Sequence, residues 1–145
     1  MIVLLQRVIE AAVRVEGREV GRTGPGYLAL VCAEPEDTDE TVRKAAQKTV
    51  KLRVFADEAG KMNRSIRDTG GSILAVSQFT LAADCLGGNR PSFSRAAPPD
   101  VGLARFNDFV AALRAEGIAV ETGEFGAEMQ VSLVNDGPAT FWLRF

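Results

Sequence analysis

The chain has no histidine, only two cysteines, and no apolar run that approaches the roughly 20 residues of a membrane helix. The missing histidine excludes Ser-His-Asp and Cys-His catalysis and His-ligated zinc. Cys32 and Cys85 are far apart and form no CxxC, so we expect reduced, structural thiols rather than a metal site or a disulfide framework. Any catalysis must therefore use carboxylates, hydroxyls, amides, backbone groups or the substrate itself.

An excess of positive charge is also missing, because 17 lysines and arginines face 19 acidic residues and the net charge is −2. This balance excludes a globally basic surface, so phosphate contacts would have to come from local patches and be modest and salt-sensitive. The length predicts one domain, residues 1–145. The first residues alternate without a basic region, which predicts a strand rather than a signal peptide, and a cytoplasmic protein.

Apolar periodicity predicts strands, a helix, strands, a second helix and closing strands. The predicted strands are 1–8, 11–15, 27–32, 53–56, 72–76, 118–121, 129–133 and 139–145. A turn is expected at 16–19, where Glu16-Gly17-Arg18-Glu19 separates apolar segments. The order predicts an α/β single domain in which two main helices cover a curved, mixed or partly antiparallel sheet.

The two helices have recognisable starts and inner faces. Asp37 or Thr38 is expected to cap the first helix, and Asp37 with Glu40 has the spacing of a capping box. The second helix is expected to begin near Asp100 and to end before Gly117. Its predicted inward residues are Leu103, Phe106, Phe109, Val110 and Leu113.

Two groups of basic residues have either a structural or a binding interpretation. Lys44, Lys48 and Lys51 share one face of the first helix, which indicates a solvated surface or a phosphate-contacting stripe. The segment 82–99 has no hydrophobic period, and loops of this length are usually functional. Arg90 and Arg95 there suit a phosphate or ribose contact, although a surface loop with incidental arginines explains the spacing nearly as well.

The segment Asn135-Asp136-Gly137-Pro138 lies between two predicted strands. Proline removes a ladder donor and glycine permits unusual backbone shapes, so the pair belongs at a turn, a bulge or an edge. One interpretation is a hairpin turn, since the four residues are favourable turn formers. The other is a rigidly held carbonyl that faces a ligand.

A second motif, Ser77-Gln78-Phe79-Thr80-Leu81, follows an apolar strand. Together with 135–140 it resembles the paired signature of the D-aminoacyl-tRNA deacylases, homodimeric editing enzymes that remove D-amino acids from tRNA. The likeness covers essentially the whole chain and includes Gln6-Arg7-Val8, Gly60-Lys61-Met62-Asn63, Arg90-Pro91-Ser92-Phe93-Ser94 and Met129-Gln130-Val131-Ser132-Leu133-Val134. The chain is therefore identified as a member of this family.

The resemblance implies a barrel-like α/β fold, shared with an archaeal threonyl-tRNA synthetase editing domain. It also implies a homodimer, aminoacylated tRNA as the substrate, hydrolysis of its ester bond, and no metal or organic cofactor. Two other functions stay open: an editing hydrolase for one mischarged L-amino acid, and a non-catalytic RNA-binding module. The Gly-Pro pair disfavours the first, and the net acidity disfavours the second.

The catalytic candidates are Ser77, Gln78, Phe79 and Thr80. Amide N–H groups around Gln78 and Phe79 are candidates for an oxyanion hole. Phe79 is either a stacking partner for the terminal adenine or an inward core residue. Thr80 is assigned to binding rather than to nucleophilic attack, because no histidine is present to activate its hydroxyl. Met129 is expected in the core, on a strand close to the pocket wall.

In the family, the Gly-Pro peptide is cis, crosses the dimer interface and points into the partner's active site. On this chain the resemblance assigns substrate binding and chiral selection to Gly137, Pro138, Ala139, Thr140 and Met129. The Gly137 carbonyl would exclude an L side chain while admitting a D side chain or glycine. Ala139 stands where the family commonly has valine, which could loosen the support of the loop. Candidate tRNA contacts are Arg7, Lys61, Asn63, Arg90 and Arg95.

Overall fold

The computed structural model describes all 145 residues and contains eight strands, three α-helices and one 3₁₀-helix. In chain order the elements are β1 (Ile2–Val15), β2 (Arg18–Thr23), β3 (Gly26–Cys32), α1 (Asp39–Lys51), β4 (Phe55–Ala56), β5 (Met62–Arg64), α2 (Ile66–Thr69), β6 (Ser72–Ser77), the 3₁₀-helix (Phe79–Ala82), α3 (Pro99–Ala115), β7 (Val120–Thr122) and β8 (Gln130–Arg144). None of the helices has the length and apolarity needed to cross a membrane.

The main sheet is organised around β1, which pairs with three other strands. Its first half pairs with β3 and its second half with β2, while β8 runs antiparallel to it over nearly its whole length. The pairs β3–β6 and β6–β7 are parallel, so the sheet is mixed. It curls until β2 meets β7, where a Cβ added at Gly21 would lie 2.3 Å from the Thr122 carbonyl oxygen. The predicted curved, barrel-like α/β fold is confirmed.

Each face of the curved sheet buries its own apolar cluster. The larger cluster lies between the sheet and helices α1 and α3, and it includes Leu5, Tyr27, Val42 and Phe109. The smaller cluster lies on the other face and includes Val76. Alternate residues of a strand point to opposite faces, which is why Ala75 and Val76 belong to different clusters. The two main helices are as predicted, and the one-turn helix α2 was not expected.

The start of α1 agrees with one of the two predicted caps, but the predicted capping box does not form. Thr38 caps the helix and forms a reciprocal capping box with Thr41, so the pairing of Asp37 with Glu40 was wrong. The Asp37 carboxylate instead accepts hydrogen bonds from the Glu34 amide and from the Met1 ammonium group. A buried cation needs a charged partner, and this need takes Asp37 away from the helix end.

Helix α3 begins at Pro99, next to the predicted Asp100, but no side chain caps it. Proline is tolerated in the first turn because the N–H that it lacks would have no helical acceptor there. Leu103 was predicted to face inward but is 39% exposed, whereas the other four inward residues are buried. The apolar stripe is thus buried only from Phe106 onward, one turn later than its periodicity indicates.

Several strand boundaries also differ, and the predicted strands 129–133 and 139–145 are both part of β8. The expected strands 1–8 and 11–15 are one strand, β1, which stays continuous through register shifts against β8. The turn before β2 contains only Glu16 and Gly17, both with positive φ, so Arg18 and Glu19 already belong to β2. Residues 53 and 54 precede β4 rather than forming part of it.

Glu34 connects the two ends of the chain. Its carboxylate accepts from the Met1 ammonium group at 3.1 Å and from Arg144 at 2.6 and 3.1 Å, and its side chain is 11% exposed. Burial alone would raise the pKa of Glu34. The hydrogen bonds and charges of Arg144 and Met1 together outweigh burial and hold the pKa below its ordinary value. The ionised form of Glu34 therefore stabilises the fold.

We predict that Glu34→Gln lowers the free energy of unfolding by about 2 kcal/mol at pH 7, because it removes charge-assisted hydrogen bonds. The folded-state pKa is depressed, so this stabilisation is present above the unfolded-state pKa and is lost as the pH falls through the folded-state pKa. Urea unfolding of both proteins between pH 7 and pH 3 measures the difference. A difference that stays constant down to pH 3 would contradict the assignment to ionised Glu34.

Candidate active site

The candidate site begins where β6 ends. Strand β6 is buried up to Val76, and Ser77 is half-buried at its end. Gln78 then leaves the strand conformation, with φ −143° and ψ 78°, and the chain turns into the 3₁₀-helix Phe79–Ala82. This change of direction brings Ser77, Gln78 and Phe79 to the wall of one cavity.

The cavity has a volume of about 660 Å³ and lies between the sheet, the 82–98 loop and the start of α3. It is lined by Cys32, Ala33, Val76, Ser77, Gln78, Phe79, Phe93, Ala96, Ala97, Pro98, Pro99, Gly102, Phe125, Gly126, Ala127, Met129 and Val131. None of these residues carries a charge at neutral pH. The cavity therefore suits an uncharged, partly aromatic group and offers no carboxylate as a general base.

Two aromatic rings stand at the cavity. Phe79 is 54% exposed, so the interpretation of this residue as a core aromatic was wrong. Its ring meets the ring of Phe93 edge to face, with 5.0 Å between the centroids. Because Phe93 belongs to the 82–98 loop, this contact places part of that loop at the site. Exposed aromatic faces of this kind bind flat, uncharged rings such as nucleobases.

The backbone N–H groups at the turn after β6 differ in whether they already donate a hydrogen bond within the protein. The Gln78 amide donates to the Val31 carbonyl oxygen at 2.7 Å, so it is already used within the sheet. The part of the oxyanion-hole prediction that used the Gln78 amide was therefore wrong. The first N–H groups of a helix have no acceptor inside that helix. Backbone N–H donors for an oxyanion at this turn would therefore come from Phe79 and Thr80.

Neither Thr80 nor Cys32 is an activated nucleophile here. Thr80 is exposed, and its hydroxyl oxygen accepts a hydrogen bond from the Gln78 side-chain amide, with no base beside it. Burial, with the charge of Glu34 as a smaller contribution, raises the pKa of Cys32 to about 11, so this thiol is protonated at neutral pH. Cys32 was expected to be a structural thiol, and its place in the lining was not foreseen.

The Gly137–Pro138 segment is a bulge and not a hairpin turn. Residues 130–135 and 140–144 both pair with β1, so the chain continues in one direction past the bulge. Gln6 pairs with Thr140 and Val8 pairs with Asn135, so four residues of β8 lie opposite Arg7 alone. The hairpin interpretation was wrong. The Gly137–Pro138 peptide bond is cis.

Two side chains hold the bulge. Arg7 donates through Nε to the Asp136 carbonyl oxygen at 2.8 Å and through Nη1 to the Val54 carbonyl oxygen at 2.5 Å. The Asn135 amide donates to the carbonyl oxygens of Arg7 and Ala139, and its oxygen accepts from the Ala139 amide at 3.1 Å. The backbone of Ala139, which is 4% exposed, is thus fixed by hydrogen bonds that do not depend on its side chain.

Glycine is required at position 137 because the backbone folds back on itself. A Cβ at this position would lie 2.0 Å from the Ala139 nitrogen, far inside van der Waals contact. Next to the bulge, the Thr140 hydroxyl accepts a long hydrogen bond of 3.5 Å from Gln6. Gly137, Pro138 and Thr140 are all exposed.

The bulge does not line the cavity of its own chain. Arg7 is level with Tyr27 and Ile73, whereas Ser77 is level with Val31. This offset of four residues corresponds to about 13 Å along the strands. The chain therefore separates its two predicted binding motifs, and only Met129 of the predicted chiral-selection group lies in the cavity wall.

The residues predicted to contact tRNA lie in separate places, and none of them lines the cavity. Lys61 and Asn63 are exposed at the β4–β5 hairpin, near the Arg7 contact with Val54. Arg90 and Arg95 belong to the loop beside the cavity, where Arg95 forms an ion pair with Asp84 at 3.2 Å.

Sequence reasoning missed part of the cavity lining. Pro98, Pro99 and Gly102 belong to the start of α3, and Phe125 and Gly126 belong to the turn before β8. These residues are distant from Ser77 in sequence and have no shared pattern. The only available signal was the combination of small and aromatic residues in segments without hydrophobic period.

Comparison with known proteins gives consistent results. The family model described as D-Tyr-tRNA(Tyr) deacylase matches residues 4–144. A D-aminoacyl-tRNA deacylase of Dinoroseobacter shibae is 60% identical and covers 97% of each chain, and one of Paracidovorax citrulli is 61% identical over 99% of this chain and 93% of its own. A solved structure titled c-Myc DNA Unwinding Element Binding Protein has a TM-score of 0.94 at 38% identity, covering 100% of this chain and 99% of its own.

We predict that Arg7→Met lowers the free energy of unfolding by about 2–3 kcal/mol, because a mostly buried guanidinium loses two hydrogen bonds to carbonyl oxygens. Guanidinium chloride unfolding measures this change. Arg18→Met is the matched control, since Arg18 is exposed and forms no ion pair, and its effect should stay within about 0.5 kcal/mol. Equal effects of the two substitutions would show that Arg7 does not anchor the bulge.

Proposed function

The chain belongs to the D-Tyr-tRNA(Tyr) deacylase family, and on that premise we propose that it hydrolyses the ester bond of D-aminoacyl-tRNA to a free D-amino acid and tRNA. It is thus a hydrolase that acts on aminoacyl-tRNA. The proposed role is proofreading for translation, in the cytoplasm where aminoacyl-tRNA is used. The proposal includes no metal or organic cofactor, since the cavity lining contains neither a carboxylate nor an imidazole ligand.

The uncharged cavity is the observation that carries this proposal. A terminal aminoacyl-adenosine has an aromatic base, a ribose, an uncharged ester and an α-amino group, and a lining of apolar residues with a few polar groups suits its base, ribose and ester. Phe79 and Phe93 offer faces for the adenine, while Ser77 and Gln78 supply polar contacts near the ester. The N–H groups of Phe79 and Thr80 would stabilise the oxyanion that forms when water attacks the carbonyl carbon.

Proton transfer in this scheme depends on the substrate. The cavity lining contains no carboxylate, amine or histidine, and its one thiol is protonated at neutral pH. The hydroxyl next to the ester on the same ribose is therefore the group proposed to assist the attacking water. Holding this hydroxyl, the water and the ester carbonyl in alignment is the main task assigned to the protein.

The position of the bulge supports a homodimer. The bulge and the cavity are separated within one chain, so both can act on one aminoacyl group only if two chains contribute. Strands β1 and β8 also expose large apolar side chains, because Ile9, Val134 and Trp142 are 54%, 45% and 55% exposed.

Chiral selection is assigned to the Gly137 carbonyl of one subunit, placed against the α-carbon of the aminoacyl group in the other. An L side chain would collide with this carbonyl, whereas a D side chain or a hydrogen atom would point away. Discrimination by exclusion requires a rigid element. The hydrogen bonds of Arg7 and Asn135 to the bulge support such rigidity, and they do not depend on the smaller Ala139 side chain.

We predict that the enzyme hydrolyses D-alanyl-tRNA and glycyl-tRNA and spares L-alanyl-tRNA when all three are attached to the same tRNA. Glycine lacks the β-carbon that the Gly137 carbonyl would exclude. An apolar pocket separates substrates by one methyl group with only about 1–3 kcal/mol, whereas a rigid, close-packed carbonyl exceeds that limit. Rates of deacylation at one enzyme concentration measure the order.

Each of the other possible results of this three-substrate comparison would indicate a different mechanism or function. Resistance of glycyl-tRNA equal to that of L-alanyl-tRNA would replace steric exclusion with recognition of the D side chain. Hydrolysis of the L substrate alone would identify an L-specific editing hydrolase. Binding of tRNA without hydrolysis of any substrate would identify an RNA-binding module.

We predict that Thr80→Ala keeps kcat/KM within about tenfold of the wild-type value, since Thr80 has no base to activate it. Loss of a covalent nucleophile would instead reduce kcat by about 10⁴-fold or more. Single-turnover hydrolysis of D-tyrosyl-tRNA distinguishes the two, with Thr80→Ser as the conservative comparison. An acyl-Thr80 adduct trapped by acid quench would contradict the assignment.

A further inference from the structure

Positive charge is concentrated in one segment of this acidic chain. Residues 43–67 contain eight of the 17 lysines and arginines but only two of the 19 acidic residues. This segment therefore has a net charge of +6, and the rest of the chain has a net charge of −8. The eight residues, named here the basic surface, are Arg43, Lys44, Lys48, Lys51, Arg53, Lys61, Arg64 and Arg67.

Most of these residues form no ion pair within the protein. Only Lys44 and Arg67 form ion pairs, with Glu40 and Glu116, and the other six residues form none. Outside the segment the balance is reversed, because six of the nine basic residues are paired. Those six are Arg7, Arg14, Arg22, Arg95, Arg105 and Arg144. Unpaired, exposed cations on one segment are the usual features of a phosphate-binding surface.

The basic surface lies away from the cavity of its own chain. No residue between 34 and 75 lines that cavity. The start of α1 is near the start of α3, through Arg105 and Asp39, and the start of α3 borders the cavity. The end of α1 and helix α2 lie toward the opposite end of α3, where Arg67 meets Glu116. The lysines of the last turns of α1 therefore lie at the far end of the subunit.

The same end of the subunit carries the Gly-Pro bulge. Arg7 joins the two directly, because its guanidinium donates both to the Val54 carbonyl oxygen and to the Asp136 carbonyl oxygen. Val54 connects α1 to the β4–β5 hairpin, and the Arg53 side chain donates to the Asn63 carbonyl oxygen across that hairpin. If the bulge contacts a partner subunit, the basic surface therefore lies near the same partner.

We infer that the basic surface binds the phosphate backbone of the tRNA whose aminoacylated end occupies the partner subunit's cavity. This inference rests on the proposed function, in which the bulge of one subunit completes the cavity of the other. Each tRNA then contacts both subunits: one holds the acylated adenosine, and the other supplies the bulge and the cations for the stem. The acidic remainder of the surface favours this one orientation by repelling phosphates elsewhere.

The first test removes three unpaired lysines in the combined variant Lys48→Ala, Lys51→Ala, Lys61→Ala. We expect KM for D-tyrosyl-tRNA to rise by about tenfold or more, with a weaker dependence of log KM on log salt, since each lost phosphate contact lowers that slope by about 0.7–0.9. Hydrolysis of 3′-O-(D-tyrosyl)adenosine, which has no stem, should be unchanged. The matched control, Arg14→Ala, Arg18→Ala, Arg22→Ala, removes the same charge from the β1–β2 hairpin and should leave KM within about twofold.

The second test asks which subunit holds the stem. The cavity of one subunit is disabled by Gln78→Ala with Phe79→Ala, a combination first shown to be inactive as a homodimer. Heterodimers with the lysine variant in the other, intact-cavity subunit should keep the wild-type KM. Heterodimers with the lysine variant in the disabled subunit should show the raised KM.

The outcomes separate this inference from the function on which it rests. If the wild-type protein cleaves neither D-tyrosyl-tRNA nor its adenosine ester, the proposed function fails and the inference fails with it. If the wild-type protein cleaves both and the lysine variant keeps the wild-type KM and salt slope, the inference alone is overturned. The opposite heterodimer pattern would overturn the cross-subunit arrangement, because the stem would then lie on the subunit that holds the acylated end.

Discussion

Strand β1 is paired along both edges, and because a strand has only two edges, this pairing fixes where the other strands lie. Strands β3 and β2 occupy one edge in succession, and β8 occupies the other. Extra residues in β8 cannot be absorbed by shifting its ends, since the pairing resumes beyond them. They must leave the sheet as a bulge opposite Arg7. The shape of the Gly137–Pro138 segment is thus a consequence of sheet pairing rather than of local turn preference.

This constraint explains which features were predictable from sequence. The alternation of strand segments with two main helices and the buried face of α3 from Phe106 onward follow from local periodicity, and they were predicted correctly. The hairpin interpretation failed because turn formers report only on local backbone shape, and they cannot reveal that both flanking segments pair with β1. Local spacing left both Asp37 and Thr38 as possible helix caps for a similar reason, because it cannot reveal that a distant ammonium group binds the Asp37 carboxylate and leaves the cap to Thr38.

The site was predictable only in part. The segment Ser77–Phe79 was located by its motif and does line the cavity, whereas Pro98 and Phe125 arrive from loops that have no sequence pattern. The charge distribution was hidden by the net value of −2, which averages a strongly basic segment with an acidic remainder. The protein thereby keeps a neutral cavity apart from its cations. In the proposed function, the ester would then meet fixed dipoles rather than a field that varies with salt.

The protonated thiol of Cys32 has a consequence for the chemical durability of the cavity. With a pKa of about 11, only about one molecule in ten thousand carries the thiolate at pH 7. Peroxides and electrophiles react with the thiolate and not with the thiol, and a side chain that is 1% exposed is also shielded from them. Cys32 is therefore a poor target for oxidation, whereas exposed thiols of low pKa are readily converted to sulfenic acid.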